Sequence, residues 1–180
     1  MLFILSKYKI PLLLTLLVSV YLILFKFDSN LMNYGYTLLG GLLGMIFLDL
    51  DPIFYAIFIN PKDEKSLEII GYIKSRKFIS YLKNVDTYKK EIKDLMLHTS
   101  SFQVLVILVA FYVVVIESKV FAQSFLLALY INMIYAQAYE YSLYRNLDNW
   151  LKFASPSKKE FTKIYLFLIT AVFIYLISLL

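Results

Sequence analysis

Between Leu31 and Ile59 the chain runs for 29 residues whose only charged groups are two carboxylates, Asp49 and Asp51, set directly before Pro52. A continuous helix of that length would measure about 44 Å, against a hydrocarbon core of about 30 Å. The segment must therefore tilt, protrude or break. The expected break is at Pro52, which has no N–H for the Leu48 carbonyl and whose ring disfavours helical backbone at Asp51. A carboxylate inside an apolar span costs about 2.5–3.5 kcal/mol on insertion scales, so each one marks a site or a buried partner. Two of them at one break predict a hydrated pocket, because freed backbone groups inside a membrane persist only where water or protein satisfies them.

Hydrophobic residues make up 61% of the 180 and charged ones 17%, and the apolar residues are gathered into long blocks. That distribution predicts an all-α membrane protein, a single membrane domain over residues 1–180. Its five transmembrane spans fall at about 10–27, 31–59, 99–116, 120–143 and 161–180. The first block follows Lys7 and Lys9 like a secretory leader, yet it runs into Lys26, Phe27 and Asp28 with no small-residue cleavage site, so it reads as an uncleaved span. Residues 60–97 form the one long hydrophilic stretch. Asn60, Pro61 and Asp63 predict a helix start, with Leu67, Ile70 and Ile73 at helical spacing. A second helix is expected from Ser75, with Phe78, Leu82, Val85, Ile92 and Met96 along one stripe. Together they predict an amphipathic helical hairpin on the cytoplasmic side.

Charge orients this arrangement. With the N-terminus inside, 16 of the 18 Lys and Arg residues fall on inner segments, and only Lys26 and Lys119 lie outside. The chain thus obeys the positive-inside rule as a protein of the cytoplasmic (inner) membrane, with an external C-terminus. The same distribution argues against nucleic acid as a partner and for anionic lipid headgroups at the basic hairpin. Gly40, Gly41 and Gly44 make a small-residue face that suits close helix approach, within this chain or against a second copy or complex partner.

In that orientation Asp49, Asp51, His98 and Glu140 come from three helices to similar depth, and Asn132, Ala136 and Glu140 share a stripe. There is no Cys, so a metal would need oxygen or imidazole ligands. Asp49, Asp51 and His98, with Asn132 and Glu140 behind them, are candidate ligands for one Zn, Mn or Fe ion that could activate water. The structural alternatives are hydrogen bonding of the carboxylates at the break, pairing with a loop Lys or Arg, a capping His98, and a Glu140 paired with Arg145.

The stretches LGGLLGMIFLDLDP, LMLHTSSFQVLVIL and LYINMIYAQAYEY resemble the membrane-bound metal-dependent hydrolases related to the inner-membrane protein YdjM. That family carries a Gly-rich segment leading into Pro-Asp-x-Asp-His, a His opening a later span, and His-x-x-x-Asp in another. The resemblance covers about residues 35–150, including NLDNW around Asp148. It implies Asp49, Asp51 and His98 as metal ligands and hydrolysis of an ester or phosphoester on a lipid-linked substrate. Pro52 stands where the family has His, and Asn132 and Ala136 replace its His and Asp. The resemblance therefore implies either a site rebuilt with Asn132 and Glu140, or the fold serving without a metal as a membrane scaffold or complex subunit. A transporter component is a third reading.

Overall fold

The computed structural model describes residues 2–26, 30–92, 94–116, 119–145, 147, 150–151 and 159–180. Every regular element among them is helical: α1 (Leu2–Lys26), α2 (Leu31–Phe47), α3 (Asp51–Phe54), α4 (Glu64–Lys74), α5 (Phe78–Glu91), α6 (Ser100–Val115), α7 (Val120–Tyr144) and α8 (Lys159–Ser178). The segment around Asp148 and the expected cap at Ser157 lie outside the described residues.

Among the described residues four helices are long and apolar enough to cross a membrane: Lys7–Phe25, the run Leu31–Ile59, Val120–Tyr144 and Phe161–Ser178. The fifth apolar helix, α6, has 16 residues, about 24 Å of rise. Polar side chains start two of these helices. Asn30 accepts the Met32 amide at 3.1 Å, and Thr99 accepts that of Phe102 at 3.3 Å, each serving an N–H that the helix itself leaves unpaired.

The glycines seat α2 against its neighbours in the same chain. A Cβ on Gly40 would stand 2.5 Å from the Phe121 carbonyl oxygen, and one on Gly44 would stand 2.2 Å from that of Phe125, so α2 and α7 meet nearly backbone to backbone. Gly41 turns toward α1, where Ser19 Oγ and Thr15 Cγ2 would lie 2.9 and 3.0 Å from its Cβ. With lipid outside, such contact draws its strength from dispersion and interhelical hydrogen bonds. Ser124 donates to the Thr37 carbonyl, Asn132 Nδ2 to Thr15 Oγ1 at 3.0 Å, and Tyr130 to the Ile169 carbonyl at 2.7 Å. Gln103 and Gln137 pair reciprocally, and Gln103 Oε1 accepts the Tyr165 hydroxyl as well, joining α6, α7 and α8. The outward faces carry exposed Leu17, Leu24, Leu39, Leu108 and Phe167.

At Pro52 the regular α winding is interrupted, yet the run stays helical. Winding tightens into a 3₁₀ turn over Leu48–Leu50, resumes as α3 and loosens into a π turn over Tyr55–Ile59, with helical dihedrals at Asp51. The Leu48 carbonyl, which Pro52 cannot serve, accepts the Asp51 amide instead. Tighter winding before the proline and looser winding after it absorb its steric demand without a reversal of direction.

Helices α4 and α5 pack on each other and on the π turn around Ile69, Tyr81, Val85, Tyr88, Ile92 and Ala56. Their boundaries and stripes differ from expectation. α4 begins at Glu64 after Asp63, α5 begins at Phe78, and residues 92 and 94–99 are not helical. Tyr81 and Tyr88 turn inward, while Leu67, Phe78 and Met96 are exposed. The tyrosines go inside because each phenol finds a partner there, the Asp49 carbonyl for Tyr81 and Glu68 Oε1 for Tyr88 at 2.8 Å.

Candidate functional site

The 3₁₀ turn presents Asp49 and Asp51, two residues apart, to different neighbours. Asp49 Oδ1 meets the Lys89 ammonium of α5 at 2.5 Å, and its Oδ2 accepts the Tyr8 hydroxyl of α1. Its main-chain carbonyl accepts Tyr81. One residue thus ties α1, α2 and α5 together. Burial first, then the charges of Asp49 and Asp51, push the Tyr81 phenol far above its ordinary value, so it stays a donor.

Asp51 is fully buried and faces the non-helical stretch that leads into α6. Its Oδ1 accepts the Met96 amide at 3.0 Å, and its Oδ2 accepts the amides of Leu97 at 2.8 Å and His98 at 3.1 Å. The same oxygen lies 2.7 Å from His98 Nδ1. An oxygen that accepts from amides leaves the imidazole nitrogen as the donor, so Nδ1 carries the proton. Burial, with Lys89 adding to it, lowers the His98 pKa below its ordinary value; attraction to Asp51 works the other way and does not prevail. The ring is therefore neutral at pH 7. It packs 4.9 Å from the Trp150 ring, and Ser100 N donates to the Trp150 carbonyl at 2.8 Å.

These groups form the wall of a cavity of about 950 Å³ between α1, the end of α2, α5 and α7. Asp49, His98, Asn132 and Glu140 all line it, together with Lys7, Lys89 and Lys90; Asp51 stands behind the wall. Lys7 pairs with Asp86 at 2.8 Å. Glu140 accepts the Trp150 indole N–H at 2.7 Å. Asn132 spends its amide hydrogens on Thr15 and, at 2.7 Å, on the Ala128 carbonyl, while its buried Oδ1 has no hydrogen-bond partner among the described residues.

Protein groups engage the candidate metal donors. Among the described residues no three His, Cys, Asp or Glu side chains come close enough to share one. An ammonium occupies the approach to Asp49, and amide hydrogens occupy both oxygens of Asp51. The fold gathers the expected polar residues at one end of the bundle, yet hands each a protein partner. The residues that sequence reasoning missed are those partners: Tyr8, Tyr81, Lys89 and Trp150. The cost of a charge in an apolar span signalled that a partner must exist, but nine Lys and Arg between Lys62 and Lys93 were equally eligible. Comparison with protein-family models, with curated proteins and with solved structures returns no match to this chain.

Proposed function

We propose that the chain is a five-span protein of the cytoplasmic membrane, N-terminus inside and C-terminus outside, that serves as a non-catalytic binding module or complex subunit. Asp49 and Asp51 are assembly residues in this reading. They fasten a cytoplasmic hairpin of α4 and α5 across the end of the bundle and so complete the cavity. What carries the reading is the Asp51 carboxylate, whose oxygens are consumed by three backbone amides and one imidazole nitrogen.

Several features support the architecture. The basic residues divide as the positive-inside rule requires only if α6 also crosses. A span as short as α6 is accommodated by local bilayer thinning and flanking residues. Tyr81 and Lys89, eight positions apart on α5, both end on Asp49 and so hold α5 to the end of the second apolar run.

One observation favours the hydrolase reading that the resemblance implies. A carboxylate holding one ring nitrogen of a cavity-lining His is also how proteins aim the other nitrogen at a metal or a proton. Elemental analysis of detergent-purified protein decides between them. Metal-free, folded wild type is the expected result. Stoichiometric Zn, Mn or Fe that is lost in both Asp51→Asn and His98→Ala would overturn the proposal. A reporter fused after Leu180 tests the topology: activity outside is expected, and activity in the cytoplasm would refute an odd number of spans.

A further inference from the structure

We infer that the turn joining α4 to α5, residues 74–79, is an interfacial anchor that seats on anionic lipid of the inner leaflet. Phe78 and Ile79 enter the boundary between headgroups and acyl chains, and Lys74, Arg76 and Lys77 meet the lipid phosphates. This gives the hairpin a lipid partner and rests on the topology proposed above, which puts the hairpin on the cytoplasmic side.

Charge is segregated along the hairpin. Residues 69–85 hold Lys74, Arg76, Lys77 and Lys83 and no Asp or Glu. None of these four cations has an ion-pair partner among the described residues. Carboxylates of the hairpin are turned to other groups: Asp86 to Lys7, Glu91 to Lys65 and Glu68 to Tyr88. The turn is also held in shape. The Lys77 amide donates to the Tyr72 carbonyl at 2.9 Å and the Arg76 amide to that of Ile73 at 3.0 Å, the pair of bonds that closes a helix through a left-handed residue. That residue is Arg76, at φ 56°. Glycine takes such a backbone without steric penalty, so an arginine there costs stability, and the structure gives its exposed guanidinium no carboxylate to offset the cost.

Directly after these cations come two apolar side chains left outside the hairpin core, Phe78 at 50% exposure and Ile79 at 63%. Short contacts tie them to the membrane surface. The Phe78 ring lies 6.4 Å from that of Tyr81, whose hydroxyl reaches the Asp49 carbonyl. Asp49 in turn holds Tyr8, which stands at the start of the apolar stretch Lys7–Phe25. Phe78 is therefore close to the level at which α1 enters the bilayer. An aromatic and an aliphatic side chain at that level, beside a cluster of unpaired cations, match the way basic amphipathic segments lie in the interface. The cytoplasmic leaflet supplies the complementary negative charge, and each Lys or Arg near it adds to the attraction.

The chain has no Cys, so Ile79→Cys gives a single site for a nitroxide spin label. The intact labelled protein is placed in nanodiscs of phosphatidylcholine, with or without phosphatidylglycerol. Electron paramagnetic resonance then compares the label's collisions with oxygen, which partitions into acyl chains, and with a water-soluble nickel chelate. The oxygen-to-nickel ratio is expected to rise about threefold or more when phosphatidylglycerol is added, and to fall again as salt screens the cations. Lys74→Gln, Arg76→Gln and Lys77→Gln together are expected to return it to the phosphatidylcholine value with the helical signal unchanged. Should that variant misfold, Arg76→Gly decides: its backbone suits the turn, so the ratio should fall while thermal unfolding stays the same or rises. A ratio indifferent to phosphatidylglycerol, or to removal of these cations, would overturn the inference. So would equal shielding of the label in phosphatidylcholine nanodiscs by RNA or by an acidic polypeptide, which would mark a macromolecular partner instead. Nanodiscs offer anionic lipid on both faces, so a failure here is separable from a failure of the topology, which the reporter after Leu180 reads.

Discussion

Replacing Asp51 with alanine removes the acceptor from four donors at once: the amides of Met96, Leu97 and His98 and the His98 ring. Leu97 and His98 are buried, while Met96 is exposed and can turn to water. Each buried donor left unpaired costs about 1–3 kcal/mol. Counting only the two buried amides, the loss is about 2–6 kcal/mol, with the lower half favoured because residues 94–99 have no helix to hold them in place. Asp51→Asn should be milder, about 1–3 kcal/mol: it keeps one carbonyl acceptor and sheds a buried charge, but points an NH₂ at donors. The assay is unfolding in mixed micelles by SDS titration, followed by circular dichroism and by the fluorescence of Trp150. That single tryptophan packs on His98, so its emission should shift at lower SDS than the helical signal as residues 94–99 come loose. The assembly role of Asp51 would be refuted if both variants unfolded within about 0.5 kcal/mol of wild type with unchanged emission. It would equally fail if EDTA alone produced the same loss in wild type.

Gly44→Ala should cost about 1–3 kcal/mol, because the 2.2 Å approach to the Phe125 carbonyl must open by more than 1 Å and separate α2 from α7. Gly35→Ala meets nothing within 4 Å and should be neutral or stabilising by up to about 1 kcal/mol, so equal effects at the two sites in the same SDS assay would refute the packing argument. Lys89→Met strands Asp49 against an apolar chain. A loss of about 1–3 kcal/mol is expected, discounted for the partial exposure of Lys89, and Asp49→Asn added to Lys89→Met should recover part of it. His98 is the only histidine, so its ring carbons need no assignment in NMR. They should report a neutral ring at pH 7 and a midpoint below 6.5, the lowered value that burial imposes. Its contribution to stability is full above pH 6.5 and is lost as pH falls below it, where the unfolded chain takes up the proton first. A midpoint above 6.5 would show that Asp51 outweighs burial.

Periodicity and charge reach as far as the elements themselves. The blocks around Leu17, Leu39, Leu127 and Phe167 reappear as the four helices long enough to cross a membrane, because a run of apolar residues is a local property. The small-residue face at Gly40, Gly41 and Gly44 was legible for the same reason, but whether it met this chain or another depended on where α7 came to lie. At Pro52 local reasoning expected a break, and what forms there is a change of winding within a continuing helical run. It counted the lost N–H correctly and did not foresee that a 3₁₀ turn could give the Leu48 carbonyl to Asp51. On α5 the aliphatic stripe was outbid by Tyr81 and Tyr88, whose hydroxyls find acceptors 32 and 20 residues away.

By itself, then, the sequence determined that this chain is built of apolar helices, that two carboxylates lie where a charge is expensive, and that each must have a reason to be there. Only the tertiary structure decided what that reason is. Lys89, Tyr8 and the 96–98 amides reach Asp49 and Asp51 from 40 or more residues away, and partners that remote are chosen by how helices pack, which no local pattern encodes.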